Sequence, residues 1–413
     1  MSVPSPASAL SLLRNRGFAA VLAYRICALL SYQIVAVTVG WHIYELTRDP
    51  FSLGLVGLAE VLPFFCTAPF AGYLVDHLPR RKLGMAACAA LAATALILAG
   101  VARGWLAVEG TWPIYAAIAL TGMARSFLSP IYNALFARTL EREHFVRGAG
   151  LGNVIFQAAL VIGPALGGLL VGFGSKSLSY GLAAVFALLA GVVLARLRVT
   201  EPGAPAASLP IFASIAQGAR FVWGNQVMLG AMALDMFSVL LGGVVAMLPA
   251  FIKDILHYGP EGLGIMRAAP ALGSICVGLW LARRPLQEHA GRVLLLSVTG
   301  FGLCVVAFGL SRSFWLSALI LVAYGMCDGV SVVVRSTILQ LATPDEMRGR
   351  VSSINGIFIS SSNELGAFYA GSMARLLGLV PAVIMGGFAI LAVAGVTAWK
   401  APKLRRLNLQ ELQ

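Results

Sequence analysis

Apolar runs long enough to cross a lipid bilayer recur along the whole chain, and no other feature limits its fold as strictly. A hydrocarbon core of about 30 Å is crossed by about 20 apolar residues in a helix. Reading between charged and Gly/Pro breaks gives spans near 18–44, 51–75, 83–103, 112–138, 149–173 and 177–197. A second set follows near 227–252, 262–283, 292–310, 314–341, 351–376 and 381–400. Hydrocarbon holds no water to bond peptide groups, so each span must satisfy its own backbone and an all-α integral membrane protein is expected. Composition agrees, with 59% of 413 residues hydrophobic and 11% charged, against about half and about a quarter in a soluble domain.

The formal net charge of +13 is compatible with nucleic acid until the Lys and Arg residues are placed on these spans. About twenty then fall in alternate loops and the two tails and about six in the other loops, the asymmetry that orients membrane proteins. No basic patch comes with interleaved aromatics, so no nucleic-acid partner is expected. Arg14 and Arg16 precede a first span too long for a signal-peptide core, and Lys400, Lys403, Arg405 and Arg406 follow the last, so both termini are expected in the cytoplasm. The six cysteines, Cys27, Cys66, Cys88, Cys276, Cys304 and Cys327, lie inside apolar runs with no paired spacing, which gives no support to a metal site or a disulfide framework.

The only long polar connection, 198–226, separates an N-terminal six-helix bundle, 1–197, from a second bundle with its tail, 227–413. Within this cytoplasmic linker, IFASIAQGARFVWG has the composition of an amphipathic helix that lies on the membrane surface. A shift of about 210 residues lays Leu53 and Gly54 over Leu263 and Gly264, and one of about 203 lays Gly122 and Met123 over Gly325 and Met326, as expected of duplicated halves. The expected architecture is twelve transmembrane helices, arranged as two pseudo-symmetric six-helix bundles around a central cavity.

The turn after the second span, GYLVDHLPRRK, resembles the signature loop of the major facilitator superfamily through Gly72, Asp76, Arg80 and Arg81. His77 and Pro79 depart from the usual residues. The resemblance implies a latch on the cytoplasmic face, with Asp76 at a helix end beside the basic pair. In the fifth span Gly150, Ala159, Gly163, Pro164 and Gly167 fall on the spacing of the motif associated with exporters of that family, with Ala159 in place of a Gly. Over nearly its full length the chain is similar to the enterobactin exporter and drug:proton antiporter branch, through Arg25 in YRICALLSY, LSPIYNALF, and TPDEMRGRVSSINGIF.

A charge at mid-bilayer costs about 2.5–3.5 kcal/mol, so every ionisable residue deep in a span is a candidate site. Asp235, Asp328 and Glu364 are expected in proton coupling; Arg25, Glu60, Arg125, Arg267, Arg335, Tyr132 and Asn363 in the substrate cavity. Asp235 is the favoured proton carrier, because no basic residue stands within a turn of it; the alternative is a static partner for Arg25. The 203-residue shift lays Arg125 over Asp328 and suggests that the two interact across the pathway. Mutual neutralisation of buried pairs is the structural alternative for all of these residues. His42 and His77, near span ends, read as solvated.

No phosphate-cradling Gly loop, His pair at metal spacing or Ser elbow is present, so neither an enzyme nor a cofactor is expected. Work must then come from a gradient, and one proton crossing about 100 mV yields about 2.3 kcal/mol. The expected function is proton-coupled export of an amphipathic small molecule, such as a siderophore or drug, by alternating access. The expected partners are that substrate, protons and lipid, for a monomer in the bacterial inner membrane. A lipid or lysolipid flippase, a uniporter, and a non-transporting sensor or scaffold are the alternatives.

Overall fold

The computed structural model describes residues 9–105, 110–199, 211–283, 289–344 and 347–407. Among them every regular element is helical. The six long helices of the first half are α1 (Arg16–Thr47), α2 (Pro50–His77), α3 (Arg80–Ala102), α4 (Trp112–Thr139), α5 (Phe145–Phe173) and α6 (Lys176–Arg196). A 14-residue helix, α7 (Ile211–Gly224), lies in the linker. The next expected span is broken into α8 (Gln226–Gly242), α9 (Val244–Ala250) and a π-helical turn, Phe251–Ile255. There follow α10 (Pro260–Arg283), α11 (Ala290–Leu310), α12 (Phe314–Leu341), α13 (Arg348–Leu377) and α14 (Leu379–Lys400), then a short α15 (Pro402–Arg405).

Eleven helical segments among the described residues are long and apolar enough to cross a membrane, which makes the chain a multi-pass integral membrane protein. The expected span 351–376 coincides with α13, which is outside those eleven. Its 30 residues reach about 45 Å, but it carries the polar run Ser360, Ser361, Ser362, Asn363 and Glu364.

Helix ends are set by local chemistry. Ser175 caps α6 by accepting from the Leu178 amide at 3.1 Å, and Asn225 caps α8 by accepting from those of Val227 and Met228. The α1–α2 connection needs only Arg48 and Asp49: Arg48 takes a left-handed φ of 51°, and Asp49 Oδ1 accepts from the Phe51 amide at 3.0 Å.

The chain divides into two compact units, Met1–His42 with Leu62–Ser208, and Ile43–Val61 with Leu209–Gln413. In the first, Phe18, Tyr24, Ile131, Leu135 and Leu194 form a core between α1, α4 and α6. Small residues set the helix spacing. A Cβ on Gly163 would stand 2.5 Å from Gln33 Cβ, and one on Gly167 3.3 Å from the Ile34 carbonyl, so these two exporter-type positions bring α5 onto α1. Ala159 is buried and Pro164 lies inside α5, whereas Gly150 faces open space.

In the second unit α10 and α12 meet backbone to backbone at Gly273 and Gly325, where Ser274 Oγ donates to the Gly325 carbonyl at 2.8 Å. The helix leaves regular geometry at Gly243 (φ −21°, ψ 19°). A Cβ there would fall 2.7 Å from the Gly366 carbonyl oxygen of α13. The apolar face of α7 joins Val222 to Met228, Met232, Leu339, Val351 and Ile354, so this helix packs on the unit's own core. The tip of the α1–α2 hairpin also belongs here. Gly54 and Gly57 press on α13, Tyr44 donates to Asp254, Arg48 lies 3.7 Å from Asp254, and Asp49 lies 4.0 Å from Arg375.

Candidate functional site

In the second unit, Asp235 of α8 forms an ion pair with Arg335 of α12. The two are 8% and 4% exposed, which places the pair where desolvation is severe and where loss of either partner strands a charge. The reading of Asp235 as a carboxylate without a basic partner is therefore corrected: α8 supplies no cation, but α12 does. Asp328 precedes Arg335 by seven residues, two turns down the same face of α12. It is half-buried, forms no ion pair among the described residues, and lines a small cavity with Asp235, Ser238, Phe301, Cys327 and Ser331. Two carboxylates and one guanidinium thus share one polar pocket. With Asp328 protonated the trio is neutral; with it ionised the net charge is −1.

Glu364 is half-buried on α13, where its carbonyl oxygen would lie 2.8 Å from a Cβ on Gly57 of α2. Asn363 is exposed and its amide donates to the Ile359 carbonyl of its own helix at 2.9 Å. Glu60 is buried on α2, and Arg267 is half-buried on α10, one turn before Pro270. These four stand on elements other than α8 and α12, and none of them lines the Asp328 cavity.

In the first unit, α1 and α4 run antiparallel and exchange two guanidinium–phenol stacks. Arg25 and Tyr32 are seven residues apart on α1, as are Arg125 and Tyr132 on α4. The Arg25 guanidinium lies 3.9 Å from the Tyr132 ring centre, and that of Arg125 lies 4.3 Å from the Tyr32 ring centre. Phe156 stands second to Arg25 at 5.7 Å and Phe64 second to Arg125 at 5.8 Å. Arg125 also donates to the Tyr32 hydroxyl at 2.7 Å. Among the described residues Arg25 has only its aromatic neighbours, and Asp235 takes Arg335 as its partner. A cation over a ring gains about 0.5–2 kcal/mol, less than the about 2.5–3.5 kcal/mol a charge costs at mid-bilayer.

The signature loop sits in the same unit. Arg81 Nε donates to the Leu194 carbonyl at 3.1 Å and Nη2 to that of Ala195 at 2.5 Å, closing off the C-terminal end of α6, where a cation is also favoured by the helix dipole. Arg80 Nε donates to the Val75 carbonyl at 3.1 Å. Gly72 faces open space, and the side chain of Asp76 lies outside the described residues. His77 donates from Nδ1 to the Tyr73 carbonyl and stacks on that ring at 4.0 Å. His42 is 3% exposed and lies 3.1 Å from the Tyr180 hydroxyl, so the solvated reading fails there: α6 covers it.

Single-helix reasoning missed four features: Gly152, whose missing side chain makes room for Tyr132 and Arg25, the cavity residues Ser238 and Ser331, and the charged hairpin tip. The inverted Arg and Tyr pairs at equal spacing were a readable sign of two antiparallel helices in register.

The family model described as Major Facilitator Superfamily matches residues 21–367. The enterobactin exporter EntS of Shigella boydii is 26% identical over 407 residues, covering 97% of this chain and 95% of that protein. EntS of Escherichia coli O81 is likewise 26% identical over 407 residues, 97% of this chain and 95% of its own. A solved D-xylose–proton symporter has the same fold, with a TM-score of 0.70, 12% identity, and 95% and 99% of the two chains covered.

Proposed function

This chain belongs to the Major Facilitator Superfamily, and from that premise we propose that it is a proton-coupled exporter of an amphipathic small molecule. It is a membrane transporter and not an enzyme. The observation that carries the coupling is the Asp328 carboxylate, which lines a cavity beside the Asp235–Arg335 pair without a cation of its own. A net charge of −1 in a dry pocket is unfavourable, whereas the neutral, protonated trio is not. Asp328 therefore releases its proton when its cavity is hydrated and holds it when the cavity is closed, which ties proton movement to access.

Twelve helices in two six-helix bundles, working as a monomer, supply the alternating access of this reading. Glu364 and Asn363 give α13 a hydrated face for substrate or a second proton. Arg25, Arg125 and Tyr132 bind substrate from the other half, and Arg125 faces Asp328 in at least one state. The Gly72 to Arg81 loop latches the cytoplasmic side, with Arg81 already fastened to α6. Similarity to enterobactin exporters favours a siderophore-like cargo and an inner-membrane address with both termini in the cytoplasm.

Expression in a bacterial strain stripped of its own pumps tests export. The expected result is raised tolerance to at least one amphipathic compound, or secretion of an aromatic metabolite, lost in Asp328→Asn. Equal tolerance and secretion with and without the protein would refute it.

A further inference from the structure

We infer that Arg25, Tyr132 and Gly152 form a subsite for one organic anionic group, so that the preferred cargo is an amphipathic anion rather than a cation; this rests on the transporter reading above. The two stacks between α1 and α4 are asymmetric. In one, Arg125 gives a hydrogen bond to the Tyr32 hydroxyl. In the other, the Tyr132 hydroxyl is buried with no partner, and Arg25 has no acceptor among the described residues.

The guanidinium keeps its charge at any accessible pH, and its fork of N–H groups matches a carboxylate, phenolate or sulfonate. Tyr132 holds one face of that fork, so the edge bearing the N–H donors is what remains for a ligand. The phenol supplies a further donor from a residue that is 7% exposed. Gly152 makes room for both donors. A Cβ there would stand 2.3 Å from Tyr132 Oη and 3.1 Å from Arg25 Nη1, so any side chain on α5 at this point would displace both donors. Phe156, one turn further along α5, offers an apolar face at 5.7 Å from the guanidinium for the body of the same molecule. An orphaned phenol, a guanidinium with no acceptor among the described residues and an aromatic wall describe a receptor for an anion carried on an apolar skeleton. A cationic cargo would meet like charge.

The probes are anilinonaphthalene sulfonate and phenylnaphthylamine, which share a skeleton and differ by the sulfonate. Binding is measured on the full chain in phosphatidylcholine nanodiscs. The wild type should bind the sulfonate about tenfold more tightly than the neutral amine, as expected of charge-assisted hydrogen bonds. Arg25→Gln should bring the two affinities together. Tyr132→Phe keeps the ring under the guanidinium, covers a folding failure of Arg25→Gln, and should lower sulfonate binding alone. A sulfonate preference unchanged in both folded variants, or absent from the wild type, overturns the subsite. Displacement of the sulfonate by phosphatidylglycerol through Arg25 would assign the subsite to lipid phosphate and overturn the solute assignment. Counterflow of the same probes in proteoliposomes is scored separately: transport of neither tells against the exporter, while the affinity ratio still decides the anion site.

Discussion

Replacing Arg335 by Met removes the cation from a pair whose side chains are 4% and 10% exposed, and so leaves Asp235 ionised in a dry interior. Breaking one partner out of such a pair costs about 3–5 kcal/mol, because the remaining charge loses both solvent and counter-ion. Removing both charges, as Asp235→Leu with Arg335→Met, strands neither partner of the pair and fills the space with apolar atoms. The double variant should therefore be more stable than either single one, by a coupling of up to about 3 kcal/mol. Denaturant titration in mixed micelles, followed by tryptophan fluorescence and circular dichroism, measures all four corners of the cycle. A single-variant loss below about 1 kcal/mol, the range of exposed pairs, would contradict the burial argument, as would a double variant whose losses simply add.

The hairpin tip gives the contrast. Arg48→Met removes a pair whose side chains are 61% and 42% exposed and leaves the Tyr44–Asp254 hydrogen bond in place, so the same titration should register about 1 kcal/mol or less. Gly163→Leu drives a side chain into Gln33 and should cost about 1–3 kcal/mol, while Gly150→Leu, facing open space, should stay within about 0.5 kcal/mol; equal losses would remove the close-packing account of α5 on α1. Arg81→Met frees the Leu194 and Ala195 carbonyls, and faster hydrogen exchange over the last turn of α6 is the expected signature.

Hydropathy made most of the membrane architecture readable because a span depends on one helix and its solvent. Eleven expected spans have a counterpart of the right length and place, although the seventh, read as one unbroken run, breaks at Gly243. The polar α13 shows the limit, since a helix that carries a run of Ser, Asn and Glu gives a weak apolar signal. Pairing is harder to read. Asp235 looks solitary along α8, and its partner Arg335 lies 100 residues away on α12. The near neighbour of Arg25 is likewise a tyrosine on α4 and not a carboxylate. Position along a helix says which residues share a face; only packing says what that face meets. Gly152 carried no chemical signal, because its role is the absence of a side chain beside two donors.

Proton flux through Asp328 is the most direct test. In proteoliposomes carrying a lumenal pH dye, an imposed gradient of a transported substrate should drive a pH change through the wild type. Asp328→Asn, folded and still binding that substrate, should move no protons. Undiminished substrate-driven proton flux in that variant would contradict the account.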